Sequence, residues 1–212
     1  AIALASLQAS AALVTSRAAL GGTETLTWGQ LGADDGSGNP IATVPALVTT
    51  STNASASVGS SAGELYRFDE GGLSFAGDFA NGDQLLGTFG AGGSITIDFE
   101  TLLSRIGAQV QALDEGPFTA ILEVYDDAHV LLESQQIDGS FSLLNRGTAL
   151  FLGVARAAVD IDYVVFRLSS NLDLFINDVS ISRERGQTVP EPASLALVLL
   201  AAALATRRRQ QR

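Results

Sequence analysis

One serine and one histidine in this chain have the types that nucleophilic hydrolysis requires. Gly59-Ser60-Ser61-Ala62-Gly63 matches the G-x-S-x-G pattern, which presents its central serine on a sharp turn between a strand and a helix. His129 is the only histidine, so it is the only imidazole that such a serine could use as a base. However, no helical pattern follows Ser61, and the segment around it is rich in Ser, Ala and Gly. We therefore predict no working triad and interpret His129 as a solvent-facing turn residue.

Paired carboxylates are a second source of chemistry. The pairs are Asp34-Asp35, Asp69-Glu70, Asp114-Glu115, Asp126-Asp127, and Asp160 with Asp162. A glycosidase needs two carboxyl groups that face one cleft at a fixed separation. Most of these pairs lie among turn residues, where carboxylates are expected for solvation and turn hydrogen bonds. We predict no catalytic residue, and therefore no enzyme, with a secreted hydrolase as the less favoured alternative.

Aromatic residues outside the clearest strands are candidates for binding sugar rings. Trp28 is the only tryptophan, and Tyr66 and Phe75 are the other two residues of this group. Exposed aromatic rings stack on sugars, whereas buried ones belong to the core. We take Trp28 as the candidate ligand-binding residue, and its exposure decides between these two roles.

Alternating apolar and polar residues predict that β-strands position these groups. Residues 94–99 alternate strictly between polar and apolar side chains. Residues 118–137 are predicted to form a hairpin around the polar turn Asp126-Asp127-Ala128-His129. Short strands at this spacing predict an all-β fold, a two-sheet antiparallel β-sandwich. The remaining predicted strands cover residues 106–113, 149–154, 163–168 and 174–181, and the segments 36–39 and 49–62 are expected to be mobile loops or edge strands.

The charge and composition of residues 13–186 exclude some classes of binding partner. Residues 13–186 carry 22 acidic residues and eight arginines, and the chain contains no lysine. An acidic surface repels phosphate backbones, so we predict no nucleic-acid partner. The chain also lacks cysteine, which is consistent with an exported protein stabilised by its core alone.

The C-terminal residues 187–212 form a separate element. Pro190, Glu191 and Pro192 precede an apolar segment at 193–206, which ends at a basic cluster formed by Arg207, Arg208, Arg209 and Arg212. The leucines of this segment lie on every side of a helix, so no polar face is left for packing on a soluble domain. Arginines after an apolar helix hold that end in the cytoplasm. We predict a single transmembrane helix at 193–206 and a basic end at 207–212.

This order of elements resembles the PEP-CTERM sorting signal of Gram-negative bacteria. The resemblance covers about a tenth of the chain and rests on the Pro-Glu-Pro motif, the short apolar helix and the terminal arginines. It implies recognition by an exosortase, a membrane-embedded cysteine peptidase or transpeptidase, at the inner membrane. It also implies a cell-envelope location and a connection with exopolysaccharide or biofilm.

The N-terminal residues 1–12 are small and apolar. Ala9-Ser10-Ala11 has the small-x-small spacing that signal peptidase accepts. We interpret this segment as the remainder of a signal peptide, with an ordinary alanine-rich helix as the alternative. The resulting organisation is a signal segment at 1–12, a β-sandwich ectodomain at 13–186 and a sorting signal at 187–212.

A second resemblance concerns the body. The segment 175–181, Phe-Ile-Asn-Asp-Val-Ser-Ile, resembles the closing strand of jelly rolls of the carbohydrate-binding-module type, and residues 78–86 and 151–154 resemble ectodomain segments of PEP-CTERM proteins. The resemblance implies a jelly-roll-like sandwich that handles glycans. In related modules an acid at the position of Asp178 supports a structural Ca²⁺. Calcium needs six to eight oxygen ligands, so a capping or hydrogen-bonding role for Asp178 is the alternative.

Three functions remain open from the sequence. The favoured one is a non-enzymatic, exported protein of the cell envelope or the exopolysaccharide matrix. The second is a module that binds extracellular polysaccharide, with Trp28 at the ligand and Ca²⁺ at Asp178 as its only possible cofactor. The third is the secreted hydrolase.

Overall fold

The computed structural model describes residues 12–34, 36–72, 75–90, 92–143, 147–170 and 172–184. Within these ranges the protein is all-β, with fifteen strands, one four-residue helix and one 3₁₀ turn. The helix, α1, spans Arg17–Leu20, and the 3₁₀ turn spans Trp28–Leu31. The strands are β1 Ala12–Val14, β2 Glu24–Leu26, β3 Asn39–Pro40, β4 Ala46–Thr49, β5 Ser55–Ser60, β6 Glu64–Asp69, β7 Gln84–Phe89, β8 Ser94–Leu103, β9 Arg105–Ala112, β10 Gly116–Tyr125, β11 Leu131–Phe141, β12 Leu150–Ala155, β13 Ile161–Leu168, β14 Leu174–Ile176 and β15 Val179–Ser182.

The strands form two antiparallel sheets. The six-stranded sheet has the order β11-β10-β13-β8-β5-β4. The nine-stranded sheet has the order β1-β12-β9-β14-β7-β6-β3, and β15 joins it by pairing with β9 and β2. Strands that are distant in the chain are neighbours in both sheets, so the chain crosses repeatedly between the two layers.

The core lies between the two sheets. The period of two along each strand turns alternate side chains inward, and these inward residues are almost all apolar. Ile95 and Ile97 of the six-stranded sheet are fully buried in the same cluster as Leu65 and Leu86 of the nine-stranded sheet. The predicted two-sheet antiparallel sandwich is therefore confirmed.

The outer faces of the two sheets differ. The nine-stranded sheet has a second apolar cluster on its outer face, formed by Phe68, Phe75, Phe79, Leu85, Ala149 and Phe175. Near β12, α1 places Leu20 in a further cluster with Val14 and Phe151. The six-stranded sheet instead presents half-buried and exposed side chains on its outer face, as the alternating burial of β10 and β11 shows.

The structure corrects two strand predictions. The single strand expected at 174–181 is two strands, because Asn177 and Asp178 break the ladder and the chain changes neighbours from β7 to β2. Residues 55–60 form an internal strand, since β5 pairs with both β4 and β8, so they are neither a loop nor an edge.

The predicted terminal elements fall largely outside the described residues. The sorting signal at 187–212, with its helix at 193–206, lies wholly beyond them. Of the signal segment at 1–12, only Ala12 is described, as the first residue of β1. Within the part of the chain that the structure describes, no helix is long and apolar enough to span a membrane.

Candidate functional site

Two tyrosines lie side by side on the outer face of the six-stranded sheet. Tyr125 of β10 and Tyr163 of β13 are directly opposite each other in the antiparallel register. Their ring centroids are 5.7 Å apart, and the ring planes are inclined by 62°. Because the preceding residue of β10, Val124, and the following residue of β13, Val164, are fully buried, both tyrosines point away from the core. Both rings are half-buried, so part of each faces solvent.

The loop between β10 and β11 adds a third ring to this pair. His129 is exposed, and its ring centroid lies 4.8 Å from that of Tyr163. Its φ of 57° is unusual for a residue other than glycine, and the loop holds it there. Asp126 accepts hydrogen bonds at one carboxylate oxygen from the amides of Ala128 and Val130, at 3.0 and 2.8 Å, while its carbonyl accepts from the His129 amide at 2.9 Å. His129 is therefore positioned by its turn against an aromatic ring.

A charged pair lies next to the tyrosines on the same face. Glu123 precedes Tyr125 by two residues and accepts a hydrogen bond from its hydroxyl at 3.1 Å. Arg167 of β13 donates to the other oxygen of Glu123 at 2.6 Å. This hydrogen bond lowers the pKa of Glu123, while burial and the Glu123 carboxylate raise the pKa of Tyr125. Glu123 thus stays ionised, and the Tyr125 hydroxyl keeps its proton.

Further carboxylates surround the aromatic pair. Asp98 of β8 is exposed and stands directly opposite Tyr163 on the side away from Tyr125. Asp162, at the irregular register between β13 and β8, has its pKa raised by burial, then by the charges of Asp98 and Asp127, with His129 acting in the opposite direction. Carboxylates at this end of the face are therefore close enough to repel one another, and they favour hydroxyl donors over anions.

The face continues from Arg167 into an open pocket of about 460 Å³. Its lining combines Arg167 and Leu168 with backbone and small side chains, namely Ser61, Ala62, Gly92, Gly93, Ser94, Ser169 and Ser170. Gly59 lies between these serines and the tyrosine row, and a side chain there would start 2.9 Å from the Thr96 hydroxyl. Because Gly59 has no side chain, nothing projects from β5 at this point. The tyrosines and the pocket therefore share one continuous face.

The serine and histidine of the hydrolase alternative are not brought together. The Ser61 hydroxyl accepts a hydrogen bond from the Ser94 amide at 3.1 Å, at the end of the face beside Arg167. The His129 ring is tilted against Tyr163, which is four residues from Arg167 along β13, a distance of about 13 Å. This separation is far beyond the roughly 3 Å that proton transfer requires.

Several acidic residues of the predicted pairs have structural partners. Asp34 accepts the amides of Gly36 and Gly38 in a turn, at 2.8 and 3.0 Å. Asp160 forms a two-pronged ion pair with Arg156, at 2.7 and 2.8 Å. Asp126 caps the turn that holds His129, as described above. Turn hydrogen bonds account for Asp34 and Asp126, as the sequence suggested, and an ion pair accounts for Asp160.

The prediction that Trp28 binds a ligand is wrong. Trp28 is fully buried, and its indole N–H donates to the Asn177 carbonyl at 3.0 Å. It lies in the main cluster between the sheets, so no sugar ring can reach its face. Its position at the start of the 3₁₀ turn directs the ring inward, and sequence alone left both roles open.

Asp178 lies in the break between β14 and β15. Its backbone carbonyl accepts a hydrogen bond from Arg17 at 2.8 Å, and burial is the main cause of its raised pKa, with the Arg17 charge opposing that rise. The guanidinium already supplies positive charge there, and the described residues contain no group of three His, Cys, Asp or Glu side chains spaced for a metal. Calcium requires six to eight oxygen ligands, so a calcium site at Asp178 stays a prediction.

Asn177, next to it, is the residue whose structural role the sequence did not reveal. Its side-chain oxygen accepts from Arg17 at 3.1 Å and from the Gln109 amide at 3.0 Å. Its side-chain nitrogen donates to Asp83 at 3.0 Å and to the Gln109 side chain at 2.7 Å. One amide thus joins α1, β9, and the residue before β7 to the strand break.

The remaining predicted residues divide as follows. Tyr66 is half-buried, whereas Phe75 is only 8% exposed and belongs to the outer cluster of the nine-stranded sheet. The sorting motif Pro190, Glu191 and Pro192 and the basic cluster Arg207, Arg208, Arg209 and Arg212 lie outside the described residues. The tyrosine pair was missed, although both tyrosines fall in predicted strands.

Comparisons with known proteins give structural likeness only. No family model matches the chain, and no curated protein matches it. The solved structures that it resembles include a module from Clostridium stercorarium, named CsCBM6-3, in complex with cellobiose; it is 16% identical, with a TM-score of 0.35, and the match covers 59% of this chain and 86% of that one. Another is a family 6 carbohydrate-binding module, 13% identical, with the same TM-score and the same coverage of each chain. Likeness at this TM-score carries no argument about function.

Proposed function

We propose that this protein is a non-catalytic, exported polysaccharide-binding module that contacts its glycan through the outer face of the six-stranded sheet. The observation that supports this most is the Tyr125–Tyr163 pair, two part-exposed rings held 5.7 Å apart on a rigid sheet. Rings fixed on strands lose little freedom when a ligand binds, because the scaffold has already ordered them.

The chemistry of the face matches what a pyranose offers. A pyranose has an apolar C–H face that packs on an aromatic ring, and a rim of hydroxyls that donate hydrogen bonds. Glu123 and Asp98 flank the tyrosine pair and accept such hydrogen bonds. The 62° inclination of the rings suits a twisted single chain better than a flat crystalline surface.

The charge of the face selects among polysaccharides. Asp98, Asp126, Asp127 and Asp162 lie near the rings, while Arg167 is already paired with Glu123. A uronic-acid or sulfated polymer would be repelled by these carboxylates, so the ligand is a neutral polysaccharide.

The export part of the proposal rests on the termini. The acidic, cysteine-free body at 13–186 is the working domain, and its jelly-roll-like sandwich carries the glycan face. An exosortase recognises the sorting signal at 187–212 through its Pro-Glu-Pro motif. The protein then reaches the cell surface or matrix of a Gram-negative bacterium. Binding of matrix polysaccharide is a function that suits such a location.

Affinity electrophoresis tests the binding proposal. The protein is run in native gels that contain hydroxyethylcellulose, arabinoxylan, laminarin or polygalacturonate, with Tyr163→Ala alongside it. We expect retardation in at least one neutral gel, weaker retardation of the variant, and none in polygalacturonate. If no gel retards the wild-type protein relative to a gel without polysaccharide, a polysaccharide-binding function is rejected. Retardation by polygalacturonate alone would reject the proposed selectivity for neutral polymers.

Export is tested separately in the native host. The intact mass and the cell fraction of the full chain are compared with those of a chain that lacks residues 190–212. We expect the full chain to lose its tail and reach the envelope, and the shortened chain to do neither. A full chain that keeps the mass of its tail and is found in the same cell fraction as the shortened chain would contradict the sorting proposal without bearing on glycan binding.

A further inference from the structure

A motif of the tyrosine site occurs a second time on the other sheet. In β10, Glu123-Val124-Tyr125 places a glutamate and a tyrosine outward around a fully buried Val124, and the glutamate accepts from the tyrosine hydroxyl at 3.1 Å. In β6, Glu64-Leu65-Tyr66 repeats this arrangement around a fully buried Leu65, with the corresponding hydrogen bond at 2.8 Å.

Each of these tyrosines has an aromatic partner on the neighbouring strand. Tyr125 meets Tyr163 at 5.7 Å, and Tyr66 meets Phe89 of β7 at 5.4 Å, with ring planes inclined by 53°. Phe89 stands opposite Glu64 in the register and is 46% exposed. Burying this ring would be favourable, so its exposure beside a second part-exposed ring leaves an aromatic platform open to solvent.

We call Tyr125 and Tyr163 the first platform and Tyr66 and Phe89 the second platform. Neighbouring residues hold the second platform in place. Tyr66 contacts Phe68 at 6.0 Å, and Phe68 belongs to the buried outer cluster of the nine-stranded sheet. Beyond Phe89, the Asp173 carboxylate accepts hydrogen bonds from the amides of Gly90 and Gly92, at 2.9 and 3.0 Å. These contacts fix the strand end that presents Phe89.

The two platforms lie on opposite sides of the molecule. Tyr66 and Phe68 project from the outer face of the nine-stranded sheet, because the alternate residue Leu65 is in the core between the sheets. Tyr125 and Tyr163 project from the outer face of the six-stranded sheet. One glycan chain on each platform would therefore run on opposite sides of the sandwich.

We propose that Tyr66, Phe89 and Glu64 form a second site for neutral polysaccharide, so that one molecule cross-links two glycan chains. The inference rests on the proposed function, since it assumes that the first platform binds glycan. Glu64 accepts sugar hydroxyls as Glu123 does on the first platform. Two sites on one rigid body convert modest single-site affinities into a strong hold on a long polymer.

The test compares four proteins: wild type, Tyr163→Ala, Phe89→Ala and the double variant. Retardation is measured in native gels at graded concentrations of hydroxyethylcellulose and of arabinoxylan, and the viscosity of each polymer solution is measured after protein is added. We expect each single variant to bind at least about tenfold more weakly than wild type while remaining retarded, because one platform is left. The double variant should migrate as it does without polymer, and only wild type should raise the viscosity.

Controls separate binding from folding. Phe89→Tyr and Tyr163→Phe keep an aromatic ring at each platform and should behave as wild type, and melting curves should show that all variants fold. The second site would be overturned if Phe89→Ala were retarded as strongly as wild type and Tyr163→Ala as weakly as the double variant. The proposed function would then still stand. No retardation of wild type in either gel or in laminarin would overturn both.

Discussion

Arg167 Nη2 lies 2.6 Å from Glu123 Oε1, which joins β13 to β10 beside the tyrosine pair. The Glu123 side chain is 16% exposed and the Arg167 side chain is 38% exposed, so solvent screens part of this attraction. The pair is therefore worth at most about 1 kcal/mol of folding free energy. Its larger effect is positional, because Glu123 also accepts a hydrogen bond from the Tyr125 hydroxyl.

Replacing Glu123 should lower stability in a pH-dependent way. The hydrogen bond from Arg167 lowers the pKa of Glu123 in the folded protein. A lowered pKa contributes stability that is fully present above the unfolded value of about 4.3 and is lost as pH falls through the folded pKa. We expect Glu123→Gln to lose about 1 kcal/mol or less at pH 7, and less still at pH 3, measured by urea unfolding.

Glu100→Gln serves as the matched control for this change, because Glu100 is an exposed glutamate on β8 of the same sheet. It should leave the free energy of unfolding nearly unchanged at both pH values. A deficit of Glu123→Gln that grows towards pH 3 would contradict the assigned sign.

The sequence predicted the strands well because burial imposes their pattern. Inward positions of a sandwich exclude polar groups, so Ile95, Ile97 and Phe99 alternate with polar residues and mark β8. The candidate site was not predictable in this way. Tyr125 and Tyr163 become neighbours only through the β10–β13 register, and outward positions accept almost any residue, so no local pattern marks them.

The burial of Trp28 and the break between β14 and β15 were not predictable from the sequence, for related reasons. Trp28 was ambiguous because an aromatic residue outside a clear strand packs inward or outward according to tertiary contacts that no short segment specifies. The break between β14 and β15 was hidden because Asn177 and Asp178 interrupt an otherwise apolar run by only two residues. The Asn177 side chain compensates for the break through partners far away in the chain.

Trp28 should prove to be a stability residue without a role at the ligand. Trp28→Phe removes the donor to the Asn177 carbonyl and leaves space in the core between the sheets. We expect a loss of about 2 kcal/mol in urea unfolding, with retardation in polysaccharide gels unchanged below the unfolding transition. Normal stability together with lost retardation would restore the original assignment.

Asp78 should be a position where removing charge stabilises the protein at neutral pH. Asp78 is 3% exposed, and burial is the main cause of its raised pKa. A raised pKa contributes stability that is present below the unfolded value of about 3.9 and is lost as pH rises through the folded pKa. We expect Asp78→Asn to gain about 1 kcal/mol over wild type at pH 7 and to lose that advantage near pH 3.5.

The exposed Asp114 provides the comparison, since Asp114→Asn removes the same charge from a solvated turn. Its unfolding free energy should follow wild type at both pH values. A gain by Asp78→Asn that is equal at pH 7 and pH 3.5 would show that burial of charge is not its cause.

Calcium should not stabilise the fold through Asp178. Arg17 already lies beside this carboxylate and supplies positive charge there. We expect the same melting temperature in EDTA and in millimolar Ca²⁺, because a ligand that binds only the folded state would raise it. A rise in Ca²⁺ that disappears in Asp178→Asn would reinstate the calcium site.

The most direct test of the central claim compares two substitutions on one face of the six-stranded sheet. Leu47 is 83% exposed on β4, and it lies in the same cross-strand row as Tyr163, with Asp98 and Ser57 between them. Both changes, Tyr163→Ala and Leu47→Ala, are made in the Phe89→Ala background, so that only the first platform is measured.

The dissociation constant for the neutral polysaccharide that retards wild type most is then determined from gel mobility. We predict that Tyr163→Ala raises it about tenfold, the loss expected for one aromatic contact of roughly 1.4 kcal/mol, and that Leu47→Ala leaves it within twofold. Equal dissociation constants for the two variants would contradict the account, because the tyrosine pair would then not be where the glycan binds.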